Sequence, residues 1–333
     1  MFEERGIHFF EAKELLEKCG LNPVDCADYR MGVFTPEEEL IATGALVGAT
    51  LQMIAVDPAF QGEDLSVRVV SHLINYAAAH GIFRLNLFTR SARVSRFQAI
   101  GFRVVAYVED AVALLEWGSP GIREYCRELE ALRPAGGVST GCIVMNCNPF
   151  TKGHRFLVES AARSCGRVFV LAVEEDLSEF PFSVRLELLR RGTADLDNVT
   201  VIPGGCYVIS SLTFPAYFSR DEARSRLQSR IDAEIFTQHI APALGVTDRF
   251  LGEEPLSPTT AIYNEIVSER LTRDGIRVHI LPRLRQGLHA ISASEVRRRL
   301  AAGSPEDVSE LVPETTLSYL RANAAQVKSW VSR

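Results

Sequence analysis

Residues 142–154 read Cys-Ile-Val-Met-Asn-Cys-Asn-Pro-Phe-Thr-Lys-Gly-His. An apolar run enters an Asn-Pro turn, and Thr151, Gly153 and His154 then fall at the start of a long amphipathic stretch. This placement suits chemistry on a phosphate. A helix N-terminus carries unpaired N–H groups and a partial positive charge, so it attracts anions. Gly153 has no Cβ and lets the backbone come close to a nucleotide. His154 can donate a hydrogen bond to an α-phosphate oxygen, more strongly if protonated. Thr151 offers a hydroxyl, and Asn148 with Gly153 shapes the turn. A second set, Ile291-Ser-Ala-Ser-Glu-Val-Arg297, begins 140 residues after Thr151 and opens another amphipathic stretch. Ser292 and Ser294 sit at an N-cap, Arg297 one turn later, and together they can hold the β and γ phosphates. Singly, each set is also a plain helix start, the second with an exposed basic face. Their order, separation and strand–turn–helix context favour the joint reading.

The elements that must position these residues read as α/β. From 138 onward, apolar runs at 141–146, 168–173, 199–203, 249–251 and 277–280 alternate with helical patterns. The helices are predicted at 155–163, 183–193, 232–240, 259–273 and 294–302. Such alternation predicts a parallel sheet with helices on both faces. Ligands bind beyond the carboxyl ends of its strands, where Thr151–His154 falls. Residues 1–118 read as a separate unit, with a helix at 11–19 and strands near 39–43, 45–49 and 51–56. A helix at 65–80, a strand at 83–88, a helix at 94–100 and a strand from Phe102 follow. Glycine and proline at both ends of 119–137 mark a linker, and 138–333 form the second domain.

The 333 residues are too many for one ordinary core. Hydrophobic content of 47% and charged content of 23% suit a water-soluble chain. A net charge of −6 gives no support for nucleic-acid binding. Arg283, Arg285 and Arg297–Arg299 cluster around the second motif, as a solvated face or as a patch turned to phosphates. Seven scattered cysteines make no Cys-x-x-Cys. Cys142 and Cys147 fall on a buried strand and its end, so no metal site is expected. The odd count suits a reducing cytoplasm. The charged, amphipathic N-terminus does not read as a signal peptide, and no apolar run is long enough to span a membrane.

The paired motifs resemble (H/T)xGH and ISxSxxR of the nucleotidylyltransferase superfamily, which holds ATP and cleaves it between the α and β phosphates. Nearly the whole chain resembles the citrate (pro-3S)-lyase ligase family. Gly141–Glu159 resembles its GxIVMNxNPFTxGHRYLxE, and Glu175–Phe182 with Arg185 its KEDxSxFPYxxR. Gly252-Glu-Glu-Pro255 with Tyr263-Asn264 resembles its GTEPxxxxTxxYN. Glu174 and Glu179 depart from the usual Lys and Arg, and Arg220 stands for a usual Lys. The resemblance implies a Rossmann-like nucleotidylyltransferase domain that uses ATP with Mg²⁺ to activate acetate as acetyl adenylate. The acetyl group then passes to the thiol prosthetic group of the citrate lyase acyl-carrier subunit, releasing AMP and pyrophosphate. It assigns Thr151 and His154 to the α-phosphate, and Ser292, Ser294 and Arg297 to the β and γ phosphates. Gly252, Glu253 and Glu254 recognise the nucleoside, while Asp176, Arg185 and Tyr217 line the acetate or thiol site.

The element order of 1–118 resembles the GNAT acyltransferase fold. Gln61 and Gly62 match part of its pyrophosphate loop, but Asp64 replaces a glycine and would repel a pyrophosphate. A simple β–α turn needing only Gly62 accounts for the segment equally well, and a docking module is expected. Rival readings are an adenylyltransferase for nicotinamide mononucleotide or phosphopantetheine and a non-catalytic acyl-CoA-responsive regulator. The intact motifs argue against the regulator.

Overall fold

The computed structural model describes residues 2–61, 64–175, 177–210, 213–216, 221–253, 258–286 and 289–332. The chain forms two compact units, Met1–Tyr125 with Phe214–Glu234, and Cys126–Thr213 with Ile235–Arg333.

In the first unit, strands β1 (Glu3–Gly6), β2 (Tyr29–Phe34), β3 (Leu40–Val47), β4 (Thr50–Val56), β5 (Arg84–Arg90), β6 (Arg103–Tyr107) and β7 (Val112–Gly118) form one sheet. Its order is β1-β2-β3-β4-β5-β7-β6. All neighbours are antiparallel except β4 and β5. A parallel pair needs a long crossover, and α2 (Leu65–Ala79) supplies it after α1 (Phe9–Lys18). Leu65, Val69, Leu73 and Ala77 recur every four residues along α2 and enter the core with Met31, Val33, Ile41 and Leu115. The short α3 (Val94–Gln98) and α4 (Ile122–Glu130) follow β5 and β7.

The strands predicted at 39–43 and 45–49 are one strand, β3, whose register with β4 shifts between Thr43 and Ala45. Gly44 lies at that shift, and a Cβ there would sit 2.5 Å from Val69 Cγ1. The glycine that reads as a break is the place where α2 packs tightly on the sheet. Strands β1, β2 and β7 lie outside the sequence prediction. The half-exposed, charged Glu-Glu-Arg-Gly of β1 carries little strand signal, and the buried β2 and β7 show no alternation.

In the second unit, β8 (Thr140–Met145), α5 (Lys152–Ser164), β9 (Arg167–Ala172), α6 (Phe182–Arg191) and β10 (Val199–Pro203) make two successive βα steps. Helix α7 (Asp221–Ile235) then lies in the first unit as far as Glu234, a return that the sequence reading does not anticipate. The helix predicted at 232–240 is the end of α7 followed by a π-turn, Phe236–Ile240, before α8 (Ala241–Leu244). Pro242 lacks an N–H and lies in the first turn of α8, where that loss is tolerated. Next come β11 (Asp248–Gly252), α9 (Pro258–Arg273), β12 (Arg277–Leu281) and a two-residue hairpin, β13 (Arg285–Gln286) with β14 (His289–Ala290). The sheet is parallel throughout, in the order β10-β9-β8-β11-β12. That order reverses between β8 and β11, where a doubly wound sheet opens a crevice at its carboxyl edge.

After α10 (Ala293–Ala302), the unpredicted α11 (Glu314–Ala322) and α12 (Ala324–Val331) close the chain. They bury Leu317, Leu320, Val327 and Trp330 with Val296 and Leu300 of α10. That layer also takes in Phe180, fully buried, whose ring meets Trp330 edge-on at 5.5 Å.

Candidate active site

Strand β8 delivers the chain to a turn in which Cys147 is left-handed (φ 52°) and the Asn148–Pro149 peptide is cis. Thr151 then caps α5. Its Oγ1 accepts from the His154 N–H at 3.3 Å, while the Thr151 N–H donates to His154 Nδ1 at 3.0 Å. This reciprocal cap fixes the imidazole. With Nδ1 accepting, the proton of a neutral ring must sit on Nε2. Burial holds the ring at about 4, well below its ordinary value, and the nearby Arg283 guanidinium adds to the shift. In this arrangement a neutral ring carries its proton on Nε2, and both desolvation and Arg283 disfavour its protonation.

Lys152, between the two motif residues, meets the segment that precedes the last two helices. Its N–H donates to the Leu311 carbonyl at 2.9 Å and its Nζ to that of Ser309 at 3.3 Å. The last helical layer thereby braces the start of α5. Gly153 has room for a methyl group within the protein, since the nearest atoms to a Cβ would be Ile291 O and Thr151 Oγ1, both at 3.5 Å. What Gly153 keeps clear is the space between the two motifs.

A loop between β9 and α6 holds the turn from the other side. The Asn148 side chain accepts from the Phe180 N–H at 3.1 Å and donates to Glu179 Oε2 at 2.6 Å. Arg185 is fully buried beneath this loop, with Nε donating to the Phe180 carbonyl and Nη1 to those of Asn146 and Val173. Its Nη2 lies 3.2 Å from Glu175 Oε1 and donates to the Glu175 carbonyl. Glu175 Oε2 in turn accepts the N–H groups of Leu177 and Ser178. A buried guanidinium persists only when its donors are satisfied, and here they meet loop carbonyls together with the Asn146 and Glu175 side chains. Arg185 is thus spent on architecture.

Ser292 caps α10, its Oγ accepting from the Glu295 N–H at 3.1 Å. Arg297, one turn on, reaches back to the first motif. Nη1 donates to the Asn148 carbonyl at 2.6 Å, and Nε pairs with Glu179 Oε1 at 2.9 Å. Arg298 and Arg299 instead pair with Glu295 of their own helix.

A cleft at the carboxyl edge of the sheet is lined by Thr151, Gly153, His154, Phe156, Leu157, Gly252, Glu253, Leu281–Leu284 and Ile291–Ala293. The ends of β11 and β12 and both motifs therefore meet. Thr151, Gly153, His154, Gly252, Glu253 and Ser292 are brought together. Asn148 and Arg297 touch each other beside this group, and the exposed Ser294 is not among the lining residues. Asp176, Tyr217 and Glu254, like Gly62 in the first unit, lie outside the described residues. Phe156, Leu157, Leu281 and Leu284 give the cleft its apolar walls. The sequence reading assigns them no role, because apolar residues at helical or strand spacing look like core.

A parallel sheet in this order, with both signatures over its carboxyl edge, is the layout of a nucleotidylyltransferase domain. The chain belongs to the citrate lyase ligase family. Residues 140–320 match the citrate lyase ligase C-terminal domain. The chain is similar to the citrate (pro-3S)-lyase ligase of Klebsiella pneumoniae, 38% identical over 300 residues that cover 88% of this chain and 87% of the relative. The Escherichia coli K12 protein of the same name is 37% identical over 293 residues, covering 86% and 83%. The first unit has partial likenesses among solved structures. The ribosomal-protein-S18-alanine N-acetyltransferase of Escherichia coli covers 36% of this chain and 97% of its own, at 18% identity and TM-score 0.30. The IAA acetyltransferase of Bacillus cereus covers 36% and 100%, at 17% identity and TM-score 0.31.

Two expectations follow. In an NMR titration the His154 ring should protonate with a midpoint near 4 and show the Nε2–H tautomer at neutral pH. Because the folded value is depressed, the fold gains no proton there until well below the unfolded value. His154 thus favours the folded state above about pH 6.5, and that contribution falls as pH drops toward 4. A midpoint near the ordinary value would contradict the cap. Separately, Gly153→Ala should leave thermal stability unchanged or slightly raised, since alanine is the better helix former by up to about 1 kcal/mol. It should nonetheless weaken ATP binding about tenfold or more, because its methyl group enters the cleft. Calorimetry showing wild-type affinity would remove Gly153 from the nucleotide site.

Proposed function

We propose that this chain is an ATP-dependent acetate:citrate lyase ligase. The observation that carries this reading is the cleft that gathers Thr151, Gly153, His154, Ser292 and Arg283 in a chain of the citrate lyase ligase family. An acetate oxygen attacks the α-phosphorus of ATP, a new P–O bond forms, and the bond to the pyrophosphate bridge oxygen breaks. The negative charge that builds on the α-phosphate oxygens meets the His154 Nε2–H and the partial positive charge at the start of α5. Thr151 and Phe150 hold the imidazole in place, with the Phe150 ring stacked 5.9 Å from it. Ser292, the start of α10 and Arg297 take the β and γ phosphates, and Arg283 adds positive charge beside His154. Gly252 and Glu253, at the end of β11, face the nucleoside.

A thiol of the partner's acyl-carrier subunit then attacks the acetyl carbon. The C–S bond forms, the C–O bond to phosphate breaks, AMP leaves, and the thiol proton goes to solvent. The intermediate is carried by AMP, so the reaction needs no nucleophilic side chain. Mg²⁺ enters with ATP as part of the substrate. Phosphate oxygens and water would supply most of its ligands.

We infer for the first unit a GNAT-like fold and a docking or supporting role. Lys18, Asp64, Arg93 and Arg96 line its hollow, so Asp64 is one carboxylate among three cations there. Among the described residues no helix is long and apolar enough to cross a membrane.

The decisive variant is His154→Ala. Acetate-dependent pyrophosphate release should fall by roughly two to three orders of magnitude, the usual loss for one positioned donor. Arg298→Ala should retain near-normal turnover, because that guanidinium is paired with Glu295 at the surface. A wild-type rate in His154→Ala would remove the residue from the reaction.

A further inference from the structure

The loop between β9 and α6 places a carboxylate where a nucleotide-binding site has least use for one. Glu179 pairs with the Arg297 Nε at 2.9 Å and accepts from the Asn148 side-chain amide at 2.6 Å. Arg297 at the same time donates to the Asn148 carbonyl at 2.6 Å. The three residues thus close a ring linking the first motif, the loop and the second motif. Its charged members are open to water, with side-chain exposures of 42% for Glu179 and 22% for Arg297. The Glu175–Arg185 pair in the same loop shows only 2% and 1%. A buried pair is locked by the cost of separating its charges. A half-exposed pair contributes little net stability and exchanges partners readily. Of the three successive arginines on α10, Arg298 and Arg299 pair with Glu295 of their own helix, whereas Arg297 pairs with the loop.

We propose that Glu179 is a placeholder for the triphosphate, holding Arg297 against the Asn148 carbonyl and competing for it with the β and γ phosphates of ATP. This rests on the assignment of Arg297 to those phosphates. Glu179 is then a positioning residue that acts through Arg297. The exchange trades one carboxylate for a more highly charged group, to which guanidinium binds more strongly. While the triphosphate is bound, Glu179 stands beside it as a like charge and opposes it. Once the α–β bond is broken, the same carboxylate can recapture Arg297 and so speed pyrophosphate release. Ligands carrying β and γ phosphates feel this opposition, while AMP, which lacks them, does not.

The test uses the full chain and its Glu179→Gln variant, titrated calorimetrically with ATP, pyrophosphate and AMP in the presence of Mg²⁺. Glutamine keeps the shape and an acceptor for Asn148 while removing the charge, and at this half-exposed position thermal melting should be unchanged. ATP and pyrophosphate should bind about fivefold to tenfold more tightly, the effect of deleting one partly screened charge. AMP affinity should stay the same. In steady state the KM for ATP should fall while kcat does not rise. Unchanged or weaker ATP binding would overturn the proposal, and so would AMP tightening as much as ATP, since that would mean repacking of the site. Arg297→Ala separates the two levels. If it leaves ATP affinity unaltered, the phosphate assignment itself falls. If it weakens ATP about tenfold or more while Glu179→Gln changes nothing, only the placeholder falls.

Discussion

The candidate site depends first on the reciprocal cap at the start of α5. One hydroxyl, one ring nitrogen and two backbone N–H groups satisfy each other between Thr151 and His154. This settles three matters at once. It starts the helix at a defined residue, so the N–H groups and partial charge of its first turn face the carboxyl edge of the sheet. It sets the orientation of the imidazole. It also commits Nδ1 as an acceptor and leaves Nε2–H as the donor. A free histidine near physiological pH would be a mixture of charge states and tautomers. Held in this cap and flanked by Arg283, the ring is biased toward the neutral form with its proton on Nε2.

Around that cap the protein spends buried charge on rigidity. Arg185 and Glu175 are both buried, a costly arrangement unless every donor and acceptor finds a partner. Their hydrogen bonds run to the carbonyls of Asn146, Val173, Glu175 and Phe180 and to the N–H groups of Leu177 and Ser178. The loop they shape carries Glu179 to Asn148 and Arg297, so two motifs 140 residues apart in sequence meet through it. A positioned donor is most effective where its surroundings cannot relax, and the helical layer that packs on Phe180 and meets Lys152 supplies that stiffness from below.

Much of this arrangement is legible in the sequence because it rests on local signals. The parallel strands of the second unit are short apolar runs between helical patterns, and β10 falls on the residues predicted. Thr151-x-Gly-His and Ile-Ser-x-Ser announce helix starts, and both are helix starts. The features that escape are those set by tertiary contact. Strand β1 is charged and takes its place only as a neighbour of β2. The Asp221–Ile235 helix is polar along its length, so nothing in its pattern says which unit it joins. The brief C-terminal helices are ordered by Trp330, Leu320 and Val327 sharing a core with α10. Arg185 is expected at the acetate or thiol site because it falls in a motif of the resembled family. Its burial and its bonds to loop carbonyls, Asn146 and Glu175 are set by tertiary contact and have no local signature. The pairing of Glu179 with Arg297 joins residues 118 positions apart and has no local signature.

The claim on which the account stands is that a carboxylate oxygen attacks the α-phosphorus. Turnover with acetate labelled in both oxygens with ¹⁸O, ATP and the thiol form of citrate lyase tests it directly, by mass spectrometry of the nucleotide product. Attack at phosphorus followed by thiol transfer leaves one labelled oxygen on AMP and the other in the acetyl thioester. Unlabelled AMP, or ADP with labelled phosphate, would contradict the account, because the bond made at the α-phosphate would not have come from acetate.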